Sequence, residues 1–172
     1  MAMTEKGYPN GDRYVGPLTV EGFREGRGTM HYANGNVYEG EFHADKKHGR
    51  GELRCPDGTS YDGQWDMGLR QGYGRYTLKG GVYEGEFVRG MRHGKGNFTF
   101  RNRDTYEGEF QNDKRHGHGV FSHSNGDVYT GEFRQGVRHG TGCMEYKNGN
   151  VYKGEYLDGL KHGTGRFEFY NG

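Results

Sequence analysis

The sequence predicts an all-β fold, an elongated, twisted, single antiparallel sheet with a groove, on three observations. The pentapeptide Tyr38-Glu39-Gly40-Glu41-Phe42 returns in variant form at Tyr14, Tyr61, Tyr83, Tyr106, Tyr129 and Tyr152, at spacings of 22–24 residues. A period that strict means one supersecondary unit stacked on copies of itself. Inside each unit, glycine or apolar residues alternate with polar ones at period two, which is the pattern of half-buried strands. Asn-Gly or Asp-Gly recurs at one place in the unit, as Asn34-Gly35, Asp57-Gly58, Asn125-Gly126 and Asn148-Gly149, and this dipeptide favours the tight turns of antiparallel hairpins.

The unit from Tyr83 to Asp104 shows how each element arises. Tyr83, Gly85 and Phe87 alternate with Glu84 and Glu86 and make the first strand. A short loop, Val88–His93, turns the chain. Gly94, Gly96, Phe98 and Phe100 then share one face of a second strand, while Lys95, Asn97 and Thr99 share the other. The turn at Asn102-Arg103-Asp104 leads to the next Tyr. Seven such units give about fourteen strands, or a sheet roughly 65 Å long at about 4.8 Å per strand. Rows of glycine therefore lie beside rows of aromatics. A glycine in a strand leaves a hole, and a ring laid over it covers the exposed backbone. Helix is excluded because no window carries an i, i+3, i+4, i+7 stripe and because glycine is too frequent, at 35 residues.

This pairing explains how so polar a chain can be ordered. Its hydrophobic content is 30% and its mean hydropathy −1.15, values that alone would suit disorder. However, the aromatics reach 15% and fall in register with the repeat, and the formal net charge is only +1. Two cysteines, Cys55 and Cys143, make neither a disulfide framework nor a CxxC pair, which fits a reducing compartment. No apolar run suits a membrane span or a signal peptide. The sequon at Asn97-Phe98-Thr99 reads as chance.

A second element follows each loop: His48-Gly49-Arg50-Gly51, His93-Gly94-Lys95-Gly96, His116-Gly117-His118-Gly119, His139-Gly140-Thr141-Gly142 and His162-Gly163-Thr164-Gly165. With the Tyr-x-Gly-x-aromatic element, it resembles the MORN repeat (membrane occupation and recognition nexus) over nearly everything from Gly7 to Gly172. Glu25 and Gln71 replace the His in two units, Pro17-Leu18 disturbs the first strand, and Lys79-Gly80-Gly81 shortens one turn. Residues 1–13 read as the tail of an earlier repeat, with Met1-Ala2-Met3 partly a tag remnant, and residues 14–172 as an array of about seven repeats. The resemblance implies a scaffold or interaction module, cytoplasmic, on the cytoskeleton or at the cytoplasmic face of membranes, with no cofactor and no enzymatic activity.

Three sets of residues are candidates for contact. Tyr38, Phe42, Tyr61, Trp65, Tyr83, Phe87, Tyr106, Phe110, Tyr129 and Phe133 are expected to line an open aromatic groove for a peptide or helix of a protein partner, with the cytoskeleton and its motors among the candidates. Tyr152, Tyr156, Phe167, Phe169 and Tyr170 are expected to mediate a homodimer through the C-terminal repeats. Lys47, Arg70, Arg92, Arg115, Arg138 and Lys161, on equivalent loops, are expected to form a ladder of cations along one edge, suited to anionic phospholipid or an acidic partner, against the plainer reading of solvated loop charges. The glutamates Glu39, Glu41, Glu84, Glu86, Glu107, Glu109, Glu132 and Glu155 read as a solvated outer face. The His column is spaced at about 10 Å, too far for neighbours to share a zinc, and suits stacking on rings or bonding loop backbone. Only His116 and His118, i and i+2 on one face, could make a two-ligand half-site, completed by Cys143 or a second chain. No dinucleotide fingerprint, Walker A motif or nucleophile elbow is present, and near-neutral charge with rings committed to glycine argues against nucleic acid.

Overall fold

The computed structural model describes residues 3–171. Met1 and Ala2, which belong to the tag reading, and Gly172 lie outside the described residues. Fifteen strands follow: β1 (Thr4–Gly7), β2 (Arg13–Gly16), β3 (Gly26–His31), β4 (Val37–His43), β5 (Lys46–Arg54), β6 (Ser60–Asp66), β7 (Leu69–Leu78), β8 (Gly81–Val88), β9 (Met91–Phe100), β10 (Thr105–Gln111), β11 (Lys114–Ser122), β12 (Val128–Arg134), β13 (Val137–Glu145), β14 (Val151–Leu157) and β15 (Leu160–Glu168). They form a single sheet whose strand order is the chain order, so the all-β antiparallel class is as predicted. The chain packs as two compact units. One holds the described residues up to Lys79 with Phe87–Gly90, and the other holds Gly80–Glu86 with the described residues from Met91 onward.

In the second unit, Tyr106, Gly108 and Phe110 of β10 point to one face of the sheet, the ring face, and Glu107 and Glu109 point to the back. Gly108 lies opposite Gly96 on one side and Gly119 on the other. The Tyr106 ring lies over this glycine pair, so that a Cβ on Gly119 would meet its Cε2 and hydroxyl at 2.5 Å. The hydroxyl donates to the Glu109 carbonyl at 2.9 Å. The same bond runs from Tyr129 to Glu132 and, in the first unit, from Tyr38 to Glu41 and from Tyr61 to Gln64. The ring therefore covers the glycine of its own strand as well as that of the next, a refinement of the predicted arrangement. Burial pushes the hydroxyls of Tyr61, Tyr106 and Tyr129 up to about 12, which keeps them as donors at any physiological pH.

The two glycines of His-Gly-x-Gly have different jobs. Gly119 faces Gly108, yet the next residue of β10, Glu109, faces His116, so Gly117 and His118 bulge out of this pairing. Gly117 has φ +55°, and Gly49, Gly72, Gly94, Gly140 and Gly163 repeat it with φ between +56° and +65°. This left-handed region is one that side chains resist. The bulge frees the His118 amide, and the Glu109 carboxylate takes it at 3.1 Å. Glu41 takes the Arg50 amide, Glu86 the Lys95 amide, Glu132 the Thr141 amide and Gln64 the Tyr73 amide in the same way. The expectation of a uniformly solvated glutamate face is thus corrected. The fourth residue of the five pentapeptides from Tyr38 to Tyr129, a glutamate or Gln64, closes a β-bulge, because the ladder there supplies no main-chain acceptor.

The Asn-Gly and Asp-Gly turns close hairpins as predicted, and the residue that ends four of the closing turns also ties one repeat to the next. Asp12 accepts the Ala33 amide, Asp104 the Ser124 amide, Asp127 the Lys147 amide and Asn150 the Tyr170 amide, at 2.8–2.9 Å.

Candidate functional site

The ring face is more closed than the sequence suggests. Tyr38, Tyr83, Tyr106 and Tyr129 are 0% exposed, and Tyr61, Trp65, Phe42, Phe87, Phe110 and Phe133 are no more than 5% exposed. These ten rings do not form an open aromatic groove. Tyr106 and Phe110 stand edge to face at 5.2 Å, and Tyr106 and Phe133 at 5.0 Å, so each ring spends its edges on a neighbour. What the sequence offered as the binding surface is the core of a one-layer protein.

The cations cover what remains. The sequence places them on the loops, but they stand at the second residue of each hairpin's second strand and fold over the rings instead of lining the edge as loop charges. The Arg115 guanidinium lies 5.7 Å from the Tyr106 centroid, 5.1 Å from Phe121 and 5.3 Å from Phe133. Arg92 sits likewise among Tyr83, Phe98 and Phe110, and Arg70 among Tyr61, Tyr76 and Phe87. Lys47 is over Trp65 at 4.4 Å, Lys161 over Tyr152 at 4.2 Å and Arg138 over Tyr129 at 5.0 Å. Most of the arginines also reach the following hairpin. Arg115 donates to the Gly136 carbonyl at 2.6 Å, Arg70 to Gly90 at 2.7 Å and Arg92 to Asp113 at 2.7 Å. Each is a clamp from one repeat to the next, part cation–π and part hydrogen bond. Arg24, which the sequence reading passed over, does the same on Phe42 and Asp45. It precedes Glu25, which stands in the His position, and that register was the available signal.

A second ring row flanks the clamps. Phe98 and Phe100 lie 4.4 Å apart, Phe100 and Phe121 5.5 Å, and Tyr146 and Phe167 5.9 Å. Tyr76, Phe100 and Tyr146 are half-buried, and Phe169 is exposed. Between successive cations the face opens into equivalent pockets. The first unit has one of about 350 Å³ between Arg24 and Lys47 and one of about 290 Å³ between Lys47 and Arg70. The second has one of about 220 Å³ between Arg92 and Arg115, walled by Phe98 and Phe100. A larger depression of about 770 Å³ lies on the back of the second unit, over Gly131, Gly142, Gly154 and Gly165. Two of its hydroxyls are already engaged, since Glu132 accepts from the Thr141 hydroxyl and Glu155 from the Thr164 hydroxyl.

The His position serves the loops. Glu25 accepts the Ala44 amide and Gln71 the Arg89 amide, and His48 lies 3.4 Å from Asp66. His116 and His118 share the back face as their spacing predicts, but no group of three metal-ligating residues forms among the described residues. Cys143 lies opposite Thr130 and Lys153, two strands and two residues from His118 and so about 12 Å away. Of the C-terminal rings, Phe167, Phe169 and Tyr170 are 38%, 72% and 68% exposed, whereas Tyr152 and Tyr156 are 8% and 3% exposed and belong to the core.

The MORN repeat model matches this chain seven times, at residues 20–37, 38–60, 61–82, 83–105, 106–128, 129–151 and 152–172. The chain belongs to the MORN-repeat family. From the second match onward its repeats begin where the pentapeptides begin, at Tyr38, Tyr61, Tyr83, Tyr106, Tyr129 and Tyr152, so the ring, the bulge and the clamp fall within these MORN units. No curated protein matches the chain. Among solved structures it is similar to the TCP domain of Drosophila melanogaster SAS-4 (dCPAP) in complex with a proline-rich motif of Ana2 (dSTIL), with a TM-score of 0.52 and 11% identity over 98% of this chain and 84% of that one. The wild-type TCP10 domain of Danio rerio CPAP, in complex with a peptide of Danio rerio STIL, matches with a TM-score of 0.42 and 15% identity over 90% of this chain and 84% of that one. The first likeness is one of fold.

Proposed function

We propose that this MORN array is a non-enzymatic interaction module whose ring face binds a segment of a partner protein, in a cytoplasmic, cytoskeletal or membrane-cortex setting. The observation that carries this reading is the recurrence of one pocket in successive repeats, floored by rings, flanked by cations and walled by half-buried aromatics. The contact surface is the second ring row and the clamps, with the Tyr and Phe of the pentapeptides beneath it. A fold-level parallel supports it, since the Drosophila TCP domain, also similar to this sheet, is seen with a proline-rich motif. Panning a random peptide library on the protein should yield peptides that still bind at about 0.5 M salt, where screened surface attraction has collapsed. Tyr76→Ser in the first unit or Phe100→Ser in the second, each on a folded variant, should weaken them about tenfold. Selected peptides indifferent to both changes would overturn the reading. Tyr106→Ala is a poor probe, because Tyr106 is core.

An anionic phospholipid surface competes for the same cations. Binding to phosphatidylserine vesicles that vanishes at about 0.5 M salt, with no peptide selected, would favour lipid instead.

The same proposal extends to self-association through Phe167, Phe169 and Tyr170. Light scattering should give a dimer mass for the wild type and a monomer for Phe169→Ser with Tyr170→Ser. A monomer for both at high concentration would remove this part.

A further inference from the structure

The clamps are not equally neutralised. Arg92 makes an ion pair with Asp113 at 3.0 Å, and Arg24 makes one with Asp45 at 3.0 Å. In the next two hairpins of the second unit, the place of Asp113 is taken by Gly136 and Gly159. Arg115 keeps only the Gly136 carbonyl, and Arg138 turns to the His123 ring, at 3.0 Å from its Nε2. Among the described residues no carboxylate stands within ion-pair distance of Arg115, Arg138 or Lys161. Asp104, the acid beside His123, is held by the Ser124 amide. Burial penalises the charge on Arg115, and a half-buried cation without an anion is costly. Three successive repeats of the second unit thus present cations over rings with the counter-charge missing.

Their spacing selects the shape of what can supply it. Successive clamps are two strands apart, about 9.5 Å. An α-helix laid along the row returns to the same side only after about seven residues, or about 10.5 Å, so it gains about 1 Å on every clamp and drifts out of step with the row. An extended strand advances about three residues and, with period two, turns its side chain away. A polyproline II helix has three residues per turn and rises about 9.3 Å per turn, so every third side chain meets the next clamp in the same orientation. It has no internal hydrogen bonds, so it can follow the twist of a sheet, and its flat faces suit aromatic walls.

Building on the peptide-groove reading above, we infer that the ring face of the second unit receives a proline-rich segment in polyproline II conformation. An acidic side chain at every third residue pairs in turn with Arg115, Arg138 and Lys161. The rings of Phe100, Tyr146 and Phe167, which are half-buried or exposed, pack against its prolines.

Fluorescence polarisation tests this with labelled synthetic peptides of about fifteen residues. Pro-Pro-Glu repeats should bind at physiological salt at least about tenfold more tightly than a peptide of the same composition with its glutamates contiguous, and more tightly than Pro-Pro-Gln or Pro-Pro-Lys repeats. Arg138→Gln with Lys161→Gln should lose about tenfold, and Lys153→Gln, on the back face, nothing. Should the double variant unfold, the comparison among peptides on the wild type decides alone. Equal binding of the spaced and contiguous peptides overturns the inference. If library-selected peptides still bind the ring face in that case, the groove reading stands without it. If no peptide of either kind binds, both fall.

Discussion

Gly119→Ala is expected to destabilise the protein by about 3 kcal/mol, at the upper end of the usual cost of overpacking. The new methyl would stand 2.5 Å from the Tyr106 hydroxyl and ring edge, and Tyr106 has no room to yield. Its other edges meet Phe110 and Phe133, and its hydroxyl is fixed on the Glu109 carbonyl. Gly136→Ala is the comparison. Nothing lies within 4 Å of that site, so its cost is only that of φ +92°, about 1–2 kcal/mol. Urea denaturation measures both. A double-mutant cycle of Gly119→Ala with Tyr106→Ala assigns the difference to the ring, because the alanine should cost less once the ring is gone. Equal costs at the two glycines would contradict the ring-over-glycine account.

Glu109→Ala should cost about 1–3 kcal/mol by leaving the His118 amide without its acceptor. Glu109→Gln should cost far less, because Gln64 already does the same work on the Tyr73 amide. Glu107→Ala, one residue pair away on the same face, should be nearly silent. The pH dependence follows from Glu132. The Thr141 amide and hydroxyl hold its carboxyl below the ordinary carboxylate value. A depressed folded pKa means that the added stability is complete above the unfolded pKa and is lost as pH falls through the lower folded value. Denaturation midpoints should therefore decline on the acid side, and Glu132→Gln should flatten that decline. A midpoint independent of pH in both proteins would show that the bulge carboxylates carry no stability.

The repeat, the two strands per unit and the turns were legible because each depends on neighbours in sequence. Period two places Tyr106 and Gly108 on one face, and Asn125-Gly126 turns a hairpin whatever surrounds it. The division of labour between Gly117 and Gly119 was not legible, since alternation puts both on the same face and only the backbone angle at Gly117 separates them. The role of Glu109 depends on that bulge and so was hidden with it. An exposed glutamate reads as solvated unless the amide nine residues on is known to lack a partner. The cations misled for a related reason. Beside a loop, Arg115 reads as a solvent charge, and only the flat surface made by three rings from two repeats draws it inward. The same event closes the face that the pentapeptide rings were expected to leave open.

The turn bonds carry one more consequence. The side-chain links from Asp104 to Ser124, Asp127 to Lys147 and Asn150 to Tyr170 each span 20 residues, and the Arg115 clamp spans 21. All-β proteins usually fold slowly because their strands must find partners far away along the chain. Here every such loop closes within about one repeat, so contact order is set by the repeat and does not grow with the number of repeats. A ribosome could release such a chain one hairpin at a time, each finding its partner already made.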